Sequence, residues 1–137
     1  MITTKGVYHI GIPVNDVERA VKFYTEILGM TIAKLNRDDM GDHLNRADLR
    51  SGDSMVVLFQ RPKALEKDAV KEDGATHQAF MVSPEDFDVA AKKMKDWGVK
   101  VYDIPTVERP TGRGFYFFDP DGNLLQLYAP PKTQPVS

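Results

Sequence analysis

The feature that most constrains this chain is an internal repeat. GVYHIGIPVNDVERAVKFYTEILGMTI near the start resembles GATHQAFMVSPEDFDVAAKKMKDWGVKV in the second half at a nearly constant offset. His9 falls on His77 and Val14 on Val82; one inserted residue later Gly29 falls on Gly98, and Val57-Leu58-Phe59 fall on Gln126-Leu127-Tyr128. A unit that occurs twice has to fold the same way twice, so each element assigned in one copy needs a counterpart in the other.

Each copy opens with a short alternating run. Tyr8, Ile10, Ile12 and Val14 share one face and His9 and Gly11 the other, the pattern of a half-buried strand. In the second copy Gln78, Phe80 and Val82 share a face, while His77, Ala79 and Met81 lie opposite. Both histidines are therefore expected on the side away from the core. A helix start follows each strand: Asn15 or Asp16 and then Ser83 are good caps, with Pro84 suited to the first turn. Ala20, Val21, Tyr24, Ile27 and Leu28 form a stripe at helical spacing, as do Phe87, Ala90, Ala91 and Met94. The helices are expected to run to about Leu28 and Trp97, where Gly29 and Gly98 offer a left-handed stop at no Cβ penalty.

Three strands are then expected in each copy, over 30–35, 46–51 and 54–60 and over 99–103, 113–118 and 123–128, with SGDS and DPDGN as the last turns. Each unit reads βαβββ. The charged stretch RPKALEKDAVKEDG suits a linker and the Pro-rich end a loose tail. The expected organisation is a single domain over 1–137: module one at about 5–60, linker 61–74, module two at about 75–130 and tail 131–137.

Charge and composition exclude several functions. Eighteen Lys and Arg against twenty Asp and Glu give a net charge of −2 with no long block of either sign, so nucleic acid is not an expected partner. The absence of cysteine rules out disulfides, thiolate metal ligands and a cysteine nucleophile. No apolar run approaches the length of a membrane span or signal peptide, and the expected location is the cytoplasm. There is no GxGxxG or Walker sequence, and DPDGN lacks the ligand spacing of a calcium loop.

A βαβββ unit repeated once, with a histidine on the first strand of each copy, resembles the vicinal oxygen chelate superfamily. That superfamily includes glyoxalase I, extradiol dioxygenases, fosfomycin-resistance enzymes and bleomycin-binding proteins. The resemblance covers residues 5–130 and is most specific at FYTEILGM (23–30) and GFYFFDPDGNLLQLY (114–128). It implies an α+β fold in which two βαβββ modules form curved mixed sheets around a cupped site. In such proteins a divalent metal is held by the first-strand histidines and by carboxylates near the ends of the last strands. His9 and His77 match the histidines, Gln126 matches the usual glutamate, and Val57 occupies the other carboxylate position, used by glyoxalase I.

Without either carboxylate, authentic glyoxalase I chemistry lacks its base. Two readings remain. In one, His9, His77 and Gln126 hold iron, manganese, nickel or zinc, and the cation chelates neighbouring oxygens of a small substrate in a dioxygenase- or lyase-type reaction. In the other, the cup sequesters a small aromatic or peptide-like compound without metal, as bleomycin-binding relatives do. Phe59 and Tyr128, two residues beyond Val57 and Gln126, share their faces and supply aromatic walls; Met81 shares the face of His77. Arg109 and Arg113 flank RPTGRG and are candidates for an anionic substrate group, Arg113 foremost. His43 has no repeat partner and reads as a solvent or lid residue. The short sheets have edges that need cover, and a homodimer is expected.

Overall fold

The computed structural model describes residues 1–38, 41, 43–61, 76–102 and 107–131. The expected linker beyond Arg61 and tail beyond Pro131 lie outside the described residues. The chain divides into two compact units, Met1–Glu66 and Lys67–Ser137. In the first, β1 (Ile10–Val14), α1 (Val17–Glu26), β2 (Thr31–Arg37), β3 (Leu44–Ser51) and β4 (Ser54–Gln60) build a sheet of order β1-β4-β3-β2. In the second, β5 (Gln78–Met81), α2 (Pro84–Asp96), β6 (Val107–Arg109), β7 (Gly112–Phe118) and β8 (Leu124–Ala129) give the order β5-β8-β7-β6. Each unit is a βαβββ module with one mixed sheet, so the α+β class and the repeat both hold.

The pairing registers make the repeat quantitative. First and last strands run parallel in each unit: Gly11 pairs with Val57, and its repeat equivalent Ala79 pairs with Gln126. The remaining neighbours are antiparallel, and they place Asp48 opposite Val57 and Tyr116 opposite Gln126.

Local chemistry explains where the helices begin and end. The Asp16 side chain accepts from the Arg19 amide at 3.1 Å and that of Ser83 from the Asp86 amide at 3.0 Å, satisfying N–H groups that have no partner within the helix. Gly29 and Gly98 take φ values of +67° and +81° just beyond the helices. Each helix buries one stripe against its own sheet. In the first unit Val17, Ala20, Phe23 and Tyr24 are buried together with Ile12, Val14, Ala47, Leu49, Val56 and Leu58. In the second, Phe87 lies 5.5 Å from Phe115, centroid to centroid, and Met94, Phe117, Leu125 and Leu127 are buried with them. No described helix is long and apolar enough to cross a membrane.

Several boundaries differ from expectation. β1 begins at Ile10, and Tyr8, expected on the core face, is 90% exposed. α1 stops at Glu26, with Ile27 as its cap. The strand expected over 99–103 is reduced, among the described residues, to a single bridge between Val101 and Phe117, flanked by bonds from the Tyr102 amide to the Tyr116 carbonyl and from the Phe118 amide to the Lys100 carbonyl. The edge strand lies later: Arg109 pairs with Gly112 across Pro110 and Thr111, so RPTGRG is a hairpin turn rather than an open loop.

Removing core volume should cost far more than trimming the edge strand. Leu58→Ala deletes a fully buried side chain and is expected to lose about 3 kcal/mol in urea unfolding, whereas Ile32→Ala, at a half-exposed position of β2, should lose less than about 1 kcal/mol. Equal losses would contradict the placement of the core at the inner strands and not at the edge strand β2.

Candidate functional site

Because partners across a ladder share a face, the registers define what lies on the side of each sheet turned from its helix, called here the far face. In the second unit one row across the far face reads Ala79, Gln126, Tyr116, and the next reads Met81, Tyr128, Gly114. In the first unit the corresponding rows read Gly11, Val57, Asp48, Lys34 and Pro13, Phe59, Arg46, Asn36.

His77 immediately precedes β5 and is half-buried. Its ring meets Tyr116 edge-on, with centroids 5.2 Å apart and planes at 84°. Since Tyr116 lies directly across from Gln126, the imidazole and the amide share the far face. Gln126 is only 7% exposed. Its amide leans over Gly114, where a Cβ would come within 2.5 Å of Nε2 and 2.9 Å of Tyr128 Cδ2. The missing side chain at Gly114 is therefore what gives the amide and the Tyr128 ring their room. Tyr128 is fixed at its far end, its hydroxyl 2.8 Å from Thr111 Oγ1.

His9 occupies the equivalent place before β1. It is exposed, and its ring lies edge-on to Tyr8 with centroids 5.5 Å apart. Val57 is buried on the far face; Phe59 beside it is 40% exposed and covers Gly11, where a Cβ would sit 3.2 Å from the ring. Met81 is 79% exposed. His43 is exposed.

Arg113 is placed differently from the sequence expectation. It alternates with Gly112 and Gly114 and so falls on the helix side of β7, where its Nη1 donates to Asp88 Oδ1 at 2.9 Å and its guanidinium lies 4.6 Å from the Phe87 ring centroid. It ties α2 to the sheet, on the face opposite Gln126. Arg109 ends β6 and is exposed. Read as a flexible loop, RPTGRG left the direction of both arginines open; as a hairpin it settles that of Arg113.

Sequence reasoning passed over Tyr116 and Asp48. The signal was present, since counting back through the DPDGN and SGDS turns from Gln126 and Val57 leads to them, but it requires the exact turn geometry.

The donor set is chemically suited to a cation. Imidazole nitrogen and amide oxygen are both accepted by borderline divalent metals, and Gly114 leaves the space over which the amide turns. Among the described residues no group of three or more His, Cys, Asp or Glu could hold a metal ion, so a site here would rest on neutral donors.

Fold and far-face residues together define a protein of the glyoxalase type. The chain belongs to the Glyoxalase/Bleomycin resistance protein/Dioxygenase superfamily, whose family model matches residues 6–127. Among curated relatives it is 31% identical to the glutathione transferase FosA of Serratia marcescens over 120 residues, 88% of this chain and 77% of that one. It is 34% identical to the protein YwkD of Bacillus subtilis over 128 residues, 90% of this chain and 96% of the relative. Among solved structures, a variant of the fosfomycin resistance protein FosX from Listeria monocytogenes, complexed with Mn(II) and 1S,2S-dihydroxypropylphosphonic acid, superposes with a TM-score of 0.75 at 22% identity, covering 95% of this chain and 96% of the other.

A methyl group at position 114 should disturb the amide directly. Gly114→Ala is expected to lower stability by about 1–3 kcal/mol and to shift the side-chain amide resonances of Gln126. Gly114→Ala combined with Gln126→Ala should recover part of that loss, because the nearest clashing atom is gone. Unmoved resonances in the single variant would refute the packing described.

Proposed function

We propose that this chain is a divalent-cation-dependent enzyme acting on a small, oxygen-rich substrate. His77 and Gln126 hold the cation, and His9, the repeat counterpart of His77, is the further donor that the resemblance implies. The observation that carries this reading is the buried Gln126 amide on the far face, with His77 against its row partner Tyr116 and space cleared by Gly114. When bound, the cation would draw neighbouring substrate oxygens into its shell and stabilise negative charge on them.

The protein's own groups do the rest. Tyr116 holds the His77 ring edge-on, and Tyr128, clamped by Thr111, walls the same face with its row partner Met81 as further apolar surface. Three neutral donors leave the full charge of a dication uncompensated, which favours an anionic substrate. The names of FosA and FosX support a small phosphonate as the substrate class and addition of a nucleophile as the reaction, ahead of the dioxygenase or lyase chemistry considered from sequence. Glyoxalase I chemistry is disfavoured because neither Val57 nor Gln126 can act as its base. Arg113 is not assigned to the substrate, being engaged with Asp88 and Phe87.

A metal-free binding protein is the second reading. The aromatic groups Tyr116 and Tyr128 and the exposed Met81 favour it, since they suit a flat ligand with no ion. Manganese titration by calorimetry separates the two. Wild type is expected to bind, His77→Ala to lose binding, and Gln126→Glu to bind about tenfold more tightly because a carboxylate adds charge attraction. If Gln126→Glu instead melts lower and ignores the metal, the carboxylate is buried without a partner and the binding-protein reading is favoured.

The same reading accommodates a homodimer. β1 and β5 are edge strands, and Tyr8 and Met81 beside them are 90% and 79% exposed. Equilibrium sedimentation at micromolar concentration should show a dimer; a monomer would count against it.

A further inference from the structure

We propose that the far face of the first unit binds a small organic carboxylate. Arg46, aimed by Asp48, offers its two Nη atoms to the carboxylate, Lys34 and Asn36 add further donors, and Phe59 borders them for the ligand's apolar body. All five residues belong to the first unit, and the assignment does not depend on the cation reading above. The registers bring them together. Asn36, Arg46 and Phe59 form one row across β2, β3 and β4, and Lys34 lies opposite Asp48 in the row beside it. Side chains directly opposed on a sheet start about 5 Å apart, so the donors of both rows border one patch.

Folding alone gives no reason for this grouping. Aspartate is among the residues least suited to strands, yet Asp48 sits in β3, an inner strand, with a side chain only 18% exposed. Lys34, on the edge strand β2, is of the kind that guards an edge against pairing, but Arg46 and Asp48 lie where no edge needs guarding. Their ion pair is open to water at Arg46, whose side chain is 48% exposed, and such pairs add little stability. What the pair does is aim a guanidinium. Arg46 donates from Nε to Asp48 Oδ1 at 2.9 Å. A contact through Nε leaves the two Nη atoms to a second acceptor, in the planar fork that a carboxylate accepts bidentately.

Charge and shape set the ligand class. Lys34, Arg46 and Arg50 share this face with the single carboxylate of Asp48, a local excess of positive charge in a chain whose net charge is −2. That excess favours an anion. Asn36, half-buried, adds an amide N–H beside Arg46. On the other side of Arg46 the row turns apolar, first Phe59, 40% exposed, and then Pro13. The Phe59 ring leans over Gly11, where a Cβ would sit 3.2 Å from it, and so leaves the Arg46 side of its row clear. A row that is polar at one end and apolar at the other fits a carboxylate carried on a flat apolar body better than it fits an inorganic anion.

The test is an NMR titration of the metal-free protein with benzoate, with its neutral counterpart benzamide and with inorganic phosphate. Benzoate should shift the backbone amides of Lys34, Asn36, Arg46 and Phe59, and benzamide should bind at least about tenfold more weakly. Phosphate should compete at the same amides with lower affinity, having no body to lay against Phe59. Arg46→Lys keeps the charge and loses the fork, and should weaken benzoate about fivefold. Asp48→Ala should weaken it about threefold although it removes the nearest negative charge, because the guanidinium is no longer aimed. Benzamide binding as well as benzoate, or shifts confined to other residues, would overturn the site, and neither observation needs a substitution that might unfold the chain. Phosphate binding more tightly than benzoate would overturn the organic ligand. Unchanged affinity in Arg46→Lys would overturn the bidentate contact, and tighter binding in Asp48→Ala would overturn the role of Asp48.

Discussion

The parallel pairing of first and last strands is the constraint on which everything else depends. β1 can lie beside β4, and β5 beside β8, only because a helix and two further strands carry the chain around between them. That closure sets His9 and His77 two residues before Gly11 and Ala79, the residues whose partners on the last strands are Val57 and Gln126. Residues far apart in sequence become neighbours through backbone hydrogen bonds, with no help from the side chains that give the site its chemistry.

Each sheet then divides its labour by parity. Residues turned toward the helix are large and apolar, Leu49, Val56 and Leu58 in one unit and Phe115, Phe117 and Leu125 in the other, and they carry the burial that stabilises the module. Residues of the far face are free to differ between copies. Val57 against Gln126, Asp48 against Tyr116 and Phe59 against Tyr128 show two copies of one scaffold carrying different surfaces, which is why the fold alone does not reveal the reaction.

Most of the architecture was legible because local signals agreed. Asp16 and Ser83 announce their helices, Gly29 and Gly98 end them, and the repeat forces the two modules into one topology. Where the sequence misled, backbone bonding at a helix end outweighed the alternating pattern that follows it. The Val99 amide bonds to the Met94 carbonyl at the helix end, one bridge joins the described residues 99–102 to the sheet, and the edge strand Val107–Arg109 is three residues long, below the length at which alternation can be read. For the site, residue types at His77 and Gln126 were evident from the repeat. The direction of Arg113 depended on one residue of strand register, and Tyr116 and Asp48 emerge only from pairing across a hairpin, which no spacing along the chain displays.

The turn that joins β7 to β8 has a consequence for inheritance. Asp119 is buried and accepts bonds from the Asp121 and Asn123 amides and from the Asn123 side chain, so the loop closes in one way and β8 starts at one phase. A side-chain period of two means that the loss of a single codon here would turn Leu125 and Leu127 outward in place of Gln126 and Tyr128. The hairpin would still be strand-forming in composition, but the amide would face the helix and the phenol with it. This turn therefore acts as a reading frame written in three dimensions, and insertions or deletions within it should be tolerated far less than substitutions.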